Sequence, residues 1–150
     1  MRSRAAFAAV VLALAGGIYA ATSAATGGTI VERYYTAATW SAFDDIGVKD
    51  NGGPGDVFTA QQSLTTLDGK SIGVVNGYGI NLHKPYVFFH WTAARNDGST
   101  MTLMGAVSLH DKTTAYAIEG GTGRYDGARG TVTLTDEGKK GSLVTVRYRL

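Results

Sequence analysis

From residue 29 onward the chain alternates apolar with polar positions at a period of two, in segments rich in Val, Ile, Thr, Tyr and Phe. The segments are separated by Asn-Gly, Asp-Gly and Gly-Gly pairs. A half-buried strand requires that period, and no stretch repeats its apolar residues convincingly at helical spacing. The pattern predicts strands at 29–37, 56–67, 70–82, 86–94, 100–109, 113–119, 130–135 and 143–149. A polar loop is expected over 43–55 and a type I′ hairpin turn at Asp68-Gly69. Pro85, which lacks the ladder N–H, breaks the chain after His83-Lys84. Asn96-Asp97-Gly98 and the charged run 136–141 supply further turns. The fold class is therefore all-β. A sheet of about eight strands avoids aggregation-prone edges best by closing on itself as an antiparallel barrel.

The densest local signal is AIEGGTGRYDGARGTVTL, residues 117–134, in which two apolar segments flank a glycine-rich turn. Glycine adopts positive φ or admits a close backbone neighbour at little cost. A dinucleotide-binding loop is excluded, because its third glycine belongs three positions after the second and a helix should follow. Here Gly121 and Gly123 are followed by Gly127, and TVTL has the β-branched alternation of a strand. The stretch reads as a structural corner built from Gly120, Gly121, Gly123, Arg124, Tyr125, Arg129 and Gly130. Glu119, just before it, is expected to pair with Arg124 or Arg129, and Asp56 to cap the turn beside it.

Parity suggests which residues face the lumen. In the third strand Ile72, Val74, Asn76, Tyr78, Ile80 and Leu82 share one face, and Gly73, Gly77 and Gly79 the other. The apolar face is expected inward, carrying Asn76 and Tyr78 with it. The fourth strand is apolar on both faces, with Tyr86, Phe88 and His90 on one and Val87, Phe89 and Trp91 on the other. One face should line the lumen and the other a contact between subunits. Met101 and Leu103 lead the apolar face of the fifth strand. The candidate ligand-binding set is Asn76, Tyr78, Tyr86, Phe88, His90, Met101 and Leu103, with Asn76, Tyr78 and His90 orienting a polar end. Trp40 and Trp91 read as core or interface surface.

Composition adds a compartment. The chain opens MRSRAAFAAVVLALAGGIYAATSAA, where Arg2 and Arg4 precede an apolar run and then small residues. This is the layout of a secretory signal peptide over residues 1–25, with cleavage expected between Ala20 and Ala25. An uncleaved N-terminal anchor is the other reading, although the run is short against the roughly 20 apolar residues that a span requires. Residues 26–150 then form a single barrel domain, secreted or otherwise extracytoplasmic and without stable membrane insertion after cleavage. Of the fourteen Lys and Arg residues two lie in the leader, leaving twelve against twelve Asp and Glu. That neutral balance, with no basic patch interleaved with aromatics, excludes nucleic acid as a partner. With no cysteine, stability must come from packing and sheet closure.

Candidate chemistry is sparse. No serine sits in a nucleophile elbow, and His83, His90 and His110 fall at separations of seven and twenty positions, unlike a metal-ligand set. No metal and no cofactor are expected.

The run GGTGRYDGARGTVTL resembles the GGTG-(K/R)-(Y/F)-x-x-A-R-G signature of the allene oxide cyclase and dirigent protein superfamily. Gly55-Asp56, Leu64, Asp68-Gly69-Lys70 and Gly73 resemble its GD…L…DGK…G strand and turn, and DGSTMTLMG at 97–105 extends the similarity over most of the mature chain. The resemblance implies an eight-stranded antiparallel barrel with an apolar cavity, often trimeric. Within that superfamily plant cyclases direct ring closure of an unstable epoxide, and dirigent proteins direct phenoxy-radical coupling. The matching motifs are turns and closing elements, and the cyclases' reactive-site strand has no convincing match here. The functional expectation is a barrel that binds a small hydrophobic molecule and steers its cyclisation or coupling by confinement, as a homotrimer or other homo-oligomer. Whether it is an enzyme stays open. The alternative is a non-catalytic, lipocalin-like binding protein or a structural envelope protein.

Overall fold

The structure, a computed structural model, describes residues 28–44, 46 and 53–150. The leader at 1–25 and most of the polar loop lie outside the described residues. Eight antiparallel strands close into one barrel in chain order. They are β1 (Ile30–Asp44), β2 (Val57–Thr65), β3 (Ser71–His83), β4 (Tyr86–Arg95), β5 (Thr100–Ser108), β6 (Thr113–Thr122), β7 (Arg129–Asp136) and β8 (Ser142–Arg149). β1 pairs with β8 from Ile30 opposite Tyr148 to Thr36 opposite Ser142, which joins the ends of the sheet. The all-β barrel expected from alternation is the fold observed.

β1 runs beyond its expected end at residue 37 because an irregularity between Ala38 and Trp40 shifts the register. One extra residue exchanges the faces, so a continuing strand looks like a broken pattern. Asp56 is 1% exposed, and its carboxylate accepts the Ile46 N–H at 2.9 Å. It ties down Ile46, ten positions upstream.

β3 faces the opposite way from the parity reading. Gly77 lies opposite Trp91 and Gly79 opposite Phe89, and these glycines point inward. A Cβ on Gly77 would sit 2.3 Å from the Trp91 ring, and one on Gly79 would sit 2.4 Å from Phe58. The glycine stripe is the floor on which the rings of β2 and β4 lie. Bulk on the inside comes from Phe58, Phe89, Trp91 and Tyr116. Phe58 meets Phe89 edge-on at 5.0 Å, and Phe89 stacks on Trp91 at 5.3 Å. Val87, Met101, Leu103, Val107, Ile118, Val132, Val144 and Val146 complete the buried core.

Candidate functional site

The aromatic cluster fills the part of the lumen next to the β3–β4 hairpin. Toward the opposite end, where the β6–β7 corner lies, a cavity of about 50 Å³ remains. Since one water needs roughly 10–15 Å³ by the same measure, it has room for a few waters. Its walls are apolar, from Leu64, Val75, Trp91, Met101, Leu103 and Val146, and Tyr34, Thr36, Gln62, Arg95 and Tyr125 also line it, almost wholly through their carbon atoms.

The hydroxyls of Tyr34 and Tyr125 turn to Glu32. Glu32, Tyr34 and Thr36 share the inward parity of β1, and the Glu32 side chain is only 8% exposed. Its Oε2 accepts the hydroxyls of Tyr34 and of Tyr125, the latter at 2.8 Å. Its Oε1 accepts the Tyr148 hydroxyl at 3.0 Å and Arg124 Nη2 at 2.9 Å. Four donors therefore saturate the carboxylate, a necessary condition for burying a charge. The corner delivers two of them. Gly121 admits Tyr125 because a Cβ there would lie 2.7 Å from the Tyr125 Cβ and 2.2 Å from the Thr100 carbonyl oxygen. A 3₁₀ turn, Gly123–Tyr125, then folds Tyr125 into the barrel end, where it is 3% exposed.

Arg95 closes the same end from β4. Its side chain is 6% exposed, and its guanidinium lies 5.2 Å from the centre of the Tyr34 ring. Nε reaches Asp97 Oδ2 at 3.4 Å and Nη1 reaches the Tyr125 hydroxyl at 3.5 Å. Burial works against this cation, but the surrounding phenols, Glu32 and Asp97 more than offset it. Burial and the Glu32 charge push the Tyr125 phenol up to about 12. Burial first, then Tyr125 and Glu32, raise Tyr34, and burial followed by Glu32 raises Tyr148. All three phenols stay protonated at neutral pH and remain donors. Deeper in the barrel, burial raises the Tyr116 phenol while Thr114 and Trp91 pull it back. The buried Trp91 Nε1–H nonetheless completes no hydrogen bond among the described residues.

Of the seven candidate ligand residues, Met101 and Leu103 line this cavity. Asn76, Tyr78, Tyr86, Phe88 and His90 lie on the outer face, because inward-facing glycines in β3 set the opposite parity for it and for β4. There Asn76 accepts Gln61 Nε2 at 2.9 Å, and the Tyr78 and His90 rings lie 5.4 Å apart. Glu119 pairs with His90 Nε2 at 3.4 Å rather than with a corner arginine, since Arg124 is committed to Glu32. Arg129 is exposed and donates to the neighbouring Ala128 carbonyl at 2.8 Å. Gly120 and Gly130 flank the corner. Glu32, Tyr34, Gln62 and Arg95 were not anticipated. The one local signal for them was the Ile30, Glu32, Tyr34, Thr36 alternation, with a carboxylate on the face that should be apolar.

No family model matches the chain, and no curated protein sequence matches it. Solved structures do. A pyocyanin demethylase superposes with a TM-score of 0.70 at 19% identity, over 80% of this chain and 100% of that one. An exo-specific intermolecular Diels-Alderase gives 0.65 at 12% identity, over 81% and 98%. A pterocarpan synthase dirigent protein gives 0.62 at 20% identity, over 81% and 83%. At 12% to 20% identity these likenesses show a shared fold, the closed eight-stranded barrel. Within this barrel the glycine corner is the piece that plugs one end. Each of the three neighbours is named for chemistry on a small organic molecule.

Proposed function

We propose that this dirigent-type barrel binds a small apolar molecule at the corner end of its lumen and steers that molecule's cyclisation or coupling by confinement. The observation that carries the reading is the pairing of an apolar cavity with a saturated, buried Glu32–Tyr–Arg network at one end. Such a network holds fixed dipoles against one end of a bound molecule and requires no reorganisation when charge develops there. Holding a flexible precursor in one near-attack conformer lowers the barrier without a nucleophile. Glu32 has all its acceptor positions occupied, so its part is to fix the tyrosines rather than to take a proton. The structural neighbours named for cycloaddition and for pterocarpan synthesis support the assignment.

The leader expected at 1–25 supports export of the mature barrel. The outer face supports self-association, since it exposes Trp40 (55%), Tyr86 (53%) and Leu82 (45%). Sedimentation at micromolar concentration checks this, with a homotrimer or another closed homo-oligomer expected and a monomer counting against it.

One observation favours a second reading, a structural barrel with a closed core. The cavity of about 50 Å³ is well below the roughly 150 Å³ of an engineered cavity that takes up benzene. The two readings separate by incubating the purified chain with a cell extract and identifying retained molecules by mass spectrometry. A converted product marks catalysis and stoichiometric unaltered ligand marks carriage. A chain that retains nothing, and whose thermal midpoint ignores every apolar compound, is a closed structural barrel.

A further inference from the structure

We infer that the barrel carries a binding site for a neutral saccharide on its outside, in a groove that crosses β1, β2 and β3. The groove has a volume of about 400 Å³ and is lined by Trp40, Thr59, Gln61 and Asn76, with the facing pair Ala60 and Gly77 as its floor. Small-molecule sites span roughly 300–1,000 Å³, a range that includes this groove and excludes the lumen. Trp40 stands in it because of the irregularity in β1. A continuing alternation would carry Trp40 inward after Thr36 and Ala38. The register shift instead sets Trp40 opposite Gln61, on the outer face, where it is 55% exposed. The same irregularity releases Thr39, whose hydroxyl donates to the Gln61 carbonyl at 3.0 Å. Gln61 Nε2 in turn donates to Asn76 Oδ1 at 2.9 Å. A pinned pair of amides therefore lies beside an exposed indole, and Asn76 Nδ2 has no acceptor among the described residues.

The occupant follows from that chemistry. A pyranose with equatorial hydroxyls has C–H groups on both faces, which suit an aromatic plate, and a rim of hydroxyls that each donate and accept. Amides match the rim because each carries an acceptor and two donors. No charged side chain lines the groove, so a sugar acid finds no cation there. A wholly apolar partner would cover Asn76 Nδ2 without giving it an acceptor. Self-association through Leu82 and Tyr86 leaves the groove open, because Leu82 lies about 20 Å along β3 from Asn76.

The test titrates the full chain with cellohexaose and, separately, with the hexamer of cellouronic acid, its charged counterpart. NMR reads the indole N–H signals of Trp40 and Trp91, assigned with Trp40→Phe. Cellohexaose is expected to shift the Trp40 signal saturably and to leave the buried Trp91 signal in place, and the charged hexamer to shift neither. Asn76→Ala should weaken cellohexaose about tenfold. Trp40→Ala should abolish its binding, read by calorimetry; both side chains are on the surface, so both variants fold. A Trp40 signal that does not respond, or an affinity that Asn76→Ala leaves unchanged, overturns the site. Equal binding of the charged hexamer overturns the choice of a neutral sugar. Should Trp40→Ala turn an oligomer into a monomer on sedimentation, Trp40 is a subunit contact and the inference falls. The lumen reading stands apart from all of these outcomes, since occupancy there would move Trp91.

Discussion

Glu32 is the residue on which the barrel end depends. Replacing it by Gln puts amide protons where hydroxyl and guanidinium donors already point, leaving Arg124 without its carboxylate. Glu32→Gln should cost about 2 kcal/mol, read from the urea midpoint, because the buried hydroxyls of Tyr125 and Tyr148 lose a charged acceptor. A loss under 1 kcal/mol would mean that the network is dispensable. Tyr125 supplies a pH signature. Its phenol is held at about 12, above the roughly 10 expected for an unfolded tyrosine. The neutral phenol therefore contributes stability that is fully present below pH 10 and is lost as pH rises through about 12. Denaturation at pH 9 and pH 12 should show that loss, and Tyr125→Phe should reduce it. Absorbance titration should place Tyr125, Tyr34 and Tyr148 after the exposed tyrosines.

At the scale of the element, β3 and β4 show what a period of two does and does not reveal. Alternation located all eight strands and most turns, since each depends on residues adjacent in sequence. The facing of β3 was a different problem. Its side-chain pattern read inward, yet the decisive bulk sits on the neighbours, with Phe58 on β2 and Phe89 and Trp91 on β4 laid against Gly77 and Gly79. Apolar residues on both faces of β4 removed the contrast that would have oriented it. The Glu32 site was illegible for a related reason, because Tyr125, Arg124 and Tyr148 lie 92 to 116 positions away. The glycine corner was legible as a turn, but its plugging of the barrel by Tyr125 required the closed sheet. A direct check compares Gly77→Ala with Asn76→Ala. The inward methyl group should overpack Trp91 and cost about 2 kcal/mol. The outward truncation should stay within about 0.5 kcal/mol. Reversed costs would restore the original facing of β3.

For the whole molecule, closure is the organising fact. Ending the chain at Gly141 removes β8 and leaves β1 and β7 with free edges along the pairs they now make. The truncated chain should appear in the aggregate fraction on size-exclusion chromatography, whereas a soluble monomer would show that an open sheet suffices. The seam also dictates timing. Glu32 sits near the start of the barrel and Tyr148 near its finish, 116 positions apart, so the bond between them closes a loop nearly as long as the domain. Contacts of such sequence separation form late and slow the overall reaction. During synthesis, strands up to β7 can pair with their neighbours, but the carboxylate has no complete shell until the last eight-residue strand, Ser142–Arg149, has emerged. Until then the chain holds a sheet with two open edges and an unsealed polar end, and so remains unable to reach its native state at any length short of the final strand.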